Sequence, residues 1–189
     1  MDALTVLHQR VSCPQLVEPA PTQHQMECIF RAVLRAADHG NLRPWRYLLI
    51  VESARKQLGE LFVQAAASDS PGLSDAQKER IRAKPLRAPL IVVAIARCVD
   101  HSKVPEIEQI ISTGAGVQNM LNAAYAMGIG AYWRTGSMAM HPQVTAGLGL
   151  EEGEKIVGFI YLGTPQGSLK PVPELRVSDY VETWSGKNI

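Results

Sequence analysis

The sequence of 189 residues predicts an α/β or α+β fold, and three observations lead to this prediction. Apolar runs at residues 47–51, 89–96 and 155–162 predict three strands, and the middle run is rich in β-branched residues. Segments with apolar residues at helical spacing lie before, between and after these runs. Glycine, proline and short polar stretches separate the segments. Strands and helices therefore alternate along the chain, which is typical of both classes and leaves the strand order open.

The N-terminal part of the chain is predicted to contain two helices joined by a turn-rich connector. Residues 3–9 have helical spacing, and Pro14 disfavours a continuation of this helix because it biases the preceding residue away from helical angles. Thr22 is the expected N-cap of the second helix, and Gln25 is placed to complete a capping box. Apolar residues then recur at a period near 3.6 over positions 26–34.

The later elements are predicted from the same patterns, which are a period near 3.6 residues for helices and apolar runs for strands. The continuous apolar run at 89–96 fits a strand that is covered on both faces. A charged helix at 75–84 is expected to face solvent mostly. The most apolar helix, at 107–127, carries the small residues 114–116, so we expect it to be buried centrally or packed against another subunit. The other predicted elements are helices at 53–67 and 141–148 and short strands at 129–132 and 177–184.

The composition indicates one ordinary globular domain that spans residues 1–189. Lys plus Arg number 19 and Asp plus Glu number 18, so the charge gives no reason to expect nucleic acid or an anionic membrane as partner. The three cysteines are widely spaced, which argues against a disulfide framework or a zinc site. The first ten residues show no signal-peptide pattern, and amides interrupt the most apolar helix. We therefore predict a cytoplasmic location and no membrane span.

Self-contained catalytic motifs are missing from the sequence. The five histidines show no HxxxH or HExxH spacing, so no metal site is predicted. No GxSxG motif occurs, and the cysteines have no evident histidine partner. Gly114-x-Gly116 lies within a predicted helix, where close helix packing explains it better than a dinucleotide fingerprint does. We name no catalytic residue, and the pattern favours a fold that takes its chemistry from a cofactor.

Three short groups of residues are candidates for contact with such a cofactor. Arg10-x-Ser12 places a guanidinium and a hydroxyl where they can converge on a phosphate, although a surface arginine beside a capping serine fits as well. Arg35 and His39 are four residues apart, so they share one face if the helical turn persists, and the alternative is an exposed arginine and a loop histidine. Trp133-Arg134-Thr135 can flank a planar ring or can simply be a core tryptophan beside a surface arginine.

The order of these motifs resembles the nitroreductase family. Arg10-x-Ser12 is followed by ADHGNxRPW at 37–45, by GAGVQNMLNAAYAMGIGAYWRTG at 114–136 and by IVGFIYLGTP at 156–165. The resemblance implies an α+β fold with a central mixed β-sheet flanked by helices. It also implies an intertwined homodimer that binds one FMN in each of two sites at the dimer interface.

The resemblance further implies roles for individual residues. Arg10, Val11 and Ser12 would hold the phosphate and ribityl region of FMN. Arg35 and His39 would reach the flavin that is bound mainly by the other subunit. The residues that complete the pocket on the first side would be Trp133, Arg134 and Thr135. The segment that would contact NADH or NADPH is Ala123, Ala124, Tyr125, Ala126, Met127 and Gly128.

The implied function is that of an FMN-dependent NAD(P)H oxidoreductase, which reduces nitroaromatics, quinones or similar flat acceptors by ping-pong hydride transfer through flavin N5. The chain departs from the family pattern at Pro14 and Gln15, because many members carry a basic residue soon after Arg-x-Ser. Arg43 and Asp38 are further departures. A non-catalytic protein that binds or sequesters flavin is therefore the alternative. A dimeric interaction module without a ligand is a third reading, which follows from the apolar helix at 107–127.

Overall fold

The computed structural model describes residues 1–186, and these form seven α-helices and five β-strands. The helices are α1 (Ala3–Gln9), α2 (Gln23–Val33), α3 (Ala54–Asp69), α4 (Asp75–Arg82), α5 (Glu106–Ala126), α6 (Ser137–Met140) and α7 (Pro142–Gly147). The strands are β1 (Leu16–Val17), β2 (Trp45–Val51), β3 (Leu90–Arg97), β4 (Gly130–Arg134) and β5 (Glu154–Pro165). The predicted elements other than the strand at 177–184 are present with small shifts of their ends, whereas β1 and α6 were not predicted.

The five strands form one sheet in the order β1-β5-β3-β2, and β4 also pairs with β5. All four pairings among the described residues are antiparallel. The α+β class is therefore confirmed, but the expectation of a mixed sheet is wrong for this part of the chain. The continuous apolar run of β3 is explained by burial, because helices cover both faces of the sheet. An antiparallel strand in this position is buried as fully as a parallel strand would be.

The core consists of two apolar layers, one on each face of the sheet. Alternate residues of β3 point to opposite layers because side chains alternate along a strand: Ile91, Val93 and Ile95 face one layer, and the residues between them face the other. Helices α3 and α7 cover the first face, and α2 and α5 cover the second. No helix of residues 1–186 is long and apolar enough to cross a membrane.

Helix α2 begins as predicted and ends before Arg35. The hydroxyl of Thr22 accepts from the N–H of Gln25, and the Gln25 side chain accepts from the N–H of Thr22, which confirms the capping box. The last helical residue is Val33, so Arg35 lies in the turn that follows. The helical turn therefore does not persist, and Arg35 and His39 do not share a helical face. The backbone leaves the helix to form a 3-10 turn at His39–Asn41 that leads into β2.

The C-terminal part of the described chain leaves the sheet after β5. The strand that was predicted at 177–184 is absent, and a single 3-10 turn at Val177–Asp179 stands in its place. No strand of residues 1–186 pairs with this segment, and its side chains are exposed along its whole length. Several large apolar side chains are exposed here, namely Leu175, Val177, Tyr180, Val181 and Trp184.

Candidate functional site

Strand β4 carries two of the predicted site residues at the edge of the sheet. Trp133 pairs with Ile160 of β5, and its indole Nε1 donates a hydrogen bond to the carbonyl oxygen of Val157 at 3.2 Å. Gly158 lies directly under the ring, since a Cβ at that position would be 2.1 Å from Nε1. The absence of a side chain at position 158 therefore allows the indole to lie against the backbone of β5.

A pocket of about 440 Å³ opens beside this strand. Its volume is within the range of small-molecule and cofactor sites, about 300–1,000 Å³. Aromatic and positively charged side chains dominate its lining, and no Asp or Glu is among the residues that form it. The lining residues are Phe62, Lys84, Arg87, Tyr132, Trp133, Arg134, Thr135, Gly136, Ser137, Met138, Phe159 and Tyr161. Trp133, Arg134 and Thr135, which the sequence grouped, thus lie in one cavity.

Arg134 is held in this pocket by aromatic rings. Its guanidinium carbon is 4.1 Å from the centroid of the Tyr132 ring and 5.4 Å from that of Tyr161, distances at which a cation is attracted to a ring face. Its Nε is buried and has no hydrogen-bond partner within residues 1–186. A buried donor without a partner is costly, so this nitrogen is free to donate to a ligand in the pocket.

Two more cations line the pocket beside Arg134. Lys84 and Arg87 belong to a 3-10 turn at Lys84–Arg87 that follows α4. Neither of them, nor Arg134, is within 4.0 Å of a carboxylate of residues 1–186. Burial raises the pKa of the Tyr161 hydroxyl, and the positive charges of Arg134 and Arg87 oppose this rise. Both guanidinium groups therefore act on the interior of the pocket.

Two further hollows continue from this pocket toward the N-terminal segment. The first, of about 470 Å³, is lined by Pro14, Gln15, Leu16, Arg87, Arg134 and Gln166, and so it shares two arginines with the main pocket. The second, of about 240 Å³, is lined by Ser12, Cys13, Pro14, Gln15, Gln166, Ser168, Leu169 and Lys170. The three cavities share walls, and we call them together the cleft. No carboxylate lines any of the three.

The N-terminal segment that carries the Arg-x-Ser motif is tied to β4. Arg10 follows the last residue of α1 and is half-buried, as is Val11, whereas Ser12 is exposed. The N–H of Cys13 donates to the carbonyl oxygen of Ala131 at 2.9 Å, which fixes the segment beside β4. The structure therefore brings Ser12 to one end of the cleft and Trp133 to the other.

Arg35 and His39 are not part of the cleft of the same chain. Arg35 lines a separate pocket of about 330 Å³ with Leu34, Ala36, Asp38, Asn41, Arg43 and Trp45. His39 Nδ1 is 2.6 Å from Oε2 of Glu108 at the start of α5. This pocket shares no lining residue with the cleft, so a single chain does not bring the two halves of the predicted site together.

The segment 123–128 forms the end of α5. Ala124 is fully buried, and Ala126 and Gly128 are exposed. The N–H groups of Met127 and Gly128 are bonded to carbonyl oxygens of the last helical turn, and Gly128 closes the helix with a positive φ of 72°. The N–H groups at this helix end are therefore already used within the helix and are not free to bind a ligand.

Lys84 and Arg87 are the site residues that sequence reasoning missed. The charged segment 75–84 was expected to form a helix that faces solvent. The helix in fact ends at Arg82, and the 3-10 turn then brings Lys84 and Arg87 to the cleft. Pro85 could have predicted the end of this helix, because a proline disfavours the continuation of a helix. No group of three or more His, Cys, Asp or Glu residues that could hold a metal ion occurs within residues 1–186.

Comparisons of the sequence and of the fold with known proteins lead to the same protein family. The sequence profile described as "Nitroreductase family" matches residues 7–164. The chain is 41% identical over 179 residues to the Escherichia coli (strain K12) protein named "Putative NAD(P)H nitroreductase YdjA", covering 95% of this chain and 96% of that protein.

Two solved structures show the same fold. A nitroreductase-like family protein from Bacillus cereus superimposes with a TM-score of 0.84 at 19% identity, covering 98% of this chain and 97% of that one. A nitroreductase with bound FMN from Bacteroides fragilis superimposes with a TM-score of 0.75 at 18% identity, covering 97% and 100%.

Proposed function

The chain belongs to the nitroreductase family, and from this premise we propose that it is an FMN-dependent NAD(P)H oxidoreductase. The acceptors that we propose are nitroaromatics, quinones or similar flat molecules. The observation that carries the proposal is the cleft, which combines aromatic walls with unpaired cations and no carboxylate. The name of the E. coli relative, which includes NAD(P)H, and the FMN bound by the B. fragilis neighbour support the choice of cofactors.

The residues of the cleft fit FMN in three respects. Tyr132 and Trp133 offer aromatic surface to a flat ring system. The cations in the wall suit the phosphate and the electron-rich edge of the flavin, because charge-assisted hydrogen bonds are the strong kind. The buried Nε of Arg134 lacks a partner within the described chain and is available as a donor.

Residues on both sides of a subunit interface would hold the cofactor. Arg10, Val11 and Ser12 would bind its phosphate and ribityl chain. The ring would lie with Trp133, Arg134 and Thr135. Arg35 and His39, which a single chain keeps apart from the cleft, would reach the ring from the second subunit. The segment Ala123–Ala126 with Met127 and Gly128 is proposed to contact the nicotinamide nucleotide.

A homodimer is part of the proposal, and two exposed apolar surfaces support it. Ile107 and Ile111 of α5 are 58% and 62% exposed, and they lie one helical turn apart on the same face as Ala115. Such a stripe on an isolated chain indicates a contact surface. The exposed apolar side chains of the C-terminal segment provide a second surface of the same kind.

The chemistry of the reaction would come from FMN, which when bound accepts a hydride from NAD(P)H and returns it to an acceptor. The protein would contribute position and charge. The aromatic lining of the pocket would support the ring, and Arg10 and Ser12 would anchor the phosphate so that the ring cannot slide along the cleft. Because the nicotinamide and the acceptor would use the same space in turn, the kinetics are expected to be ping-pong.

Purified protein tests the proposal directly. We expect it to be yellow or to take up added FMN, and the flavin absorbance should bleach when NADH or NADPH is added without oxygen. A nitroaromatic or a quinone should then restore the absorbance. Protein that stays colourless after incubation with FMN would reject the proposal.

A non-catalytic flavin-binding protein is the second candidate, because Pro14 and Gln15 bring no charge to the cleft wall that they line. Stopped-flow mixing separates the two candidates. Under the second, the protein would bind FMN but NAD(P)H would not reduce it on the timescale of turnover.

A further inference from the structure

We propose that α5 holds His39 in the conformation in which it would meet the flavin of the second subunit. Three residues of α5 act as positioning residues. Glu108 contacts His39 itself, whereas Ser112 and Thr113 fix the turn at residues 37–44 that carries His39. This role rests on the proposed function, and it extends that function to residues outside the motifs of the sequence.

The backbone of the turn at 37–44 adopts a rare conformation. Asn41 and Arg43 have positive φ angles of 53° and 50°, and Gly40 has a φ of 74°. Residues other than glycine seldom adopt this left-handed region, because their Cβ crowds the backbone there. Most of the turn is exposed to solvent, so packing of its own side chains does little to hold it. Such a conformation persists only where contacts with neighbouring elements fix it.

Two adjacent hydroxyls of α5 fix the ends of the turn. The Ser112 hydroxyl donates to the carbonyl oxygen of Ala37, and the Thr113 hydroxyl donates to that of Pro44 at 2.8 Å. Ser112 and Thr113 are buried, with exposed fractions of 6% and 0%. Thr113 Oγ1 is also 3.1 Å from the carbonyl oxygen of Gln109 in its own helix, but its distance to Pro44 is shorter. The two acceptors lie on either side of the left-handed residues, so these bonds fix where the turn begins and ends.

Asp38 joins the interior of the turn into one unit. Its carboxylate accepts from the N–H of Arg43 at 2.8 Å, and its carbonyl oxygen accepts from the N–H of Asn41 at 3.3 Å. These bonds connect residues of the turn to one another and do not tie the turn to the rest of the chain. The position of the turn as a whole therefore depends on its contacts with α5.

Glu108 fixes the imidazole of His39 directly. Glu108 Oε2 is 2.6 Å from His39 Nδ1, and it lies in the first turn of α5, where a negative charge is favoured by the helix dipole. A carboxylate can only accept a hydrogen bond, so Nδ1 carries a hydrogen. Nε2 is then the ring nitrogen that His39 would present to the flavin.

The same helix also carries part of the proposed dimer interface. Ile107 and Ile111 are exposed on another side of α5. The residues that hold the turn and those that would contact the second subunit thus belong to one helix. His39 would keep a fixed position relative to the interface across which it reaches, and a misplacement of about 1 Å in such a site is costly.

Thr113→Val is the main test, because valine keeps the shape of threonine and removes its hydroxyl. In the dimeric protein we expect the dissociation constant of FMN to rise by about tenfold, the scale of one buried hydrogen bond. Thr113→Ser keeps a hydroxyl and should restore most of the affinity. The matched control is Thr145→Val, which removes a hydroxyl that donates to the carbonyl oxygen of Pro142 in α7. Ser112→Ala should act as Thr113→Val does, and it serves as the second variant should the first fail to fold.

Two further measurements distinguish positioning of His39 from a general loss of stability. In the protein without FMN, hydrogen exchange at the amide of Arg43 should accelerate in Thr113→Val by a larger factor than at Val93 of β3, which reports global unfolding. In the background of His39→Ala, Thr113→Val should weaken FMN binding much less, because effects that act through one side chain do not add.

Glu108→Ala tests the contact with His39 in the absence of FMN. Nitrogen NMR of the imidazole should show the hydrogen on Nδ1 in the unaltered protein and a shift toward Nε2 in the variant. Glu106→Ala is the matched control, because Glu106 lies in the same first turn of α5 and pairs with Lys155 instead. The tautomer should be unchanged in this control.

Equal FMN affinity in Thr113→Val and Thr145→Val would overturn the positioning role, as would effects of Thr113→Val and His39→Ala that simply add. Either result leaves the proposed function intact, because the unaltered protein would still bind FMN. An unchanged tautomer in Glu108→Ala would overturn the role of Glu108. Failure of the unaltered protein to bind FMN would overturn both the positioning role and the proposed function.

Discussion

The indole of Trp133 lies directly on Gly158 of the neighbouring strand. A Cβ at position 158 would be 2.1 Å from Nε1 and 2.5 Å from the Cδ1 atom of the same ring. The hydrogen bond from Nε1 to Val157 holds the ring in this position, so it cannot turn aside without losing a partner. The position of the indole therefore depends on a glycine 25 positions further along the chain than the tryptophan.

Gly158→Ala is expected to displace Trp133 and to weaken FMN binding by about tenfold, which corresponds to about 1.4 kcal/mol. Fluorescence titration with FMN measures the effect. Gly114→Ala is the matched control, since its Cβ would be 3.8 Å from the Cη2 atom of the same indole, an ordinary contact. Equal FMN affinity in the two variants would show that the position of the ring does not matter for binding.

Arg10→Ala is expected to weaken FMN binding by tenfold or more, because a charge-assisted hydrogen bond contributes about 1.5–3 kcal/mol. Riboflavin, which lacks the phosphate, should bind the variant and the unaltered protein alike. Arg31→Ala serves as control, because Arg31 lies exposed on α2 and pairs with Glu27 of the same helix. The dimer should persist in both variants. A loss of riboflavin affinity equal to the loss of FMN affinity would argue against a phosphate contact.

Ala115→Glu is expected to prevent assembly, because it places a charge in the apolar stripe that Ile107 and Ile111 begin. Size-exclusion chromatography should show a monomer where we expect the unaltered protein to be a dimer, and circular dichroism should show whether the fold survives. Gln64→Glu adds the same side chain to an exposed position on α3 and should leave the dimer intact. A dimeric Ala115→Glu protein would remove α5 from the proposed interface.

Glu154→Gln is expected to lower the free energy of unfolding by about 2 kcal/mol at neutral pH, the scale of a hydrogen bond to a charged group. Arg46 Nε donates to Oε1 of Glu154 at 2.6 Å, and the carboxylate side chain is only 5% exposed. The pair links β2 to β5 across β3. Glu79→Gln is the control, because the Glu79 side chain is 70% exposed and its ion pair should contribute little.

The same pair predicts how stability depends on pH. Hydrogen bonds from Arg46 hold the pKa of Glu154 below its ordinary value of 4.5. A carboxyl whose pKa is lowered by folding contributes its full stability above the pKa of the unfolded chain and loses it as the pH falls through the folded value. The difference between the unaltered protein and Glu154→Gln should therefore be constant above about pH 5.5 and shrink in more acidic solution, as chemical denaturation would measure. A difference that grows on acidification would contradict this assignment.

Local features of the sequence predicted an element well where the contacts that form it join residues close together along the chain. Thr22 and Gln25 are three residues apart, so their reciprocal hydrogen bonds depend on one helical turn alone. The apolar run that became β3 was recognised from its own residues, because burial on both faces requires apolar side chains at every position. Whether α2 continues to His39 could not be predicted, since no residue near Arg35 marks the point at which the helix gives way to the 3-10 turn.

By itself, the sequence limited the fold to the α/β or α+β class through its periodicity, and the order of its motifs identified the family and with it the α+β class. It also grouped Trp133, Arg134 and Thr135, because these residues are neighbours in the chain. Only the tertiary structure decided that the sheet is antiparallel, that Arg35 lies outside the cleft, and that Lys84 and Arg87 line it. Those facts depend on how strands pair and where a turn redirects the chain. Such contacts join residues tens of positions apart, and no local pattern encodes them.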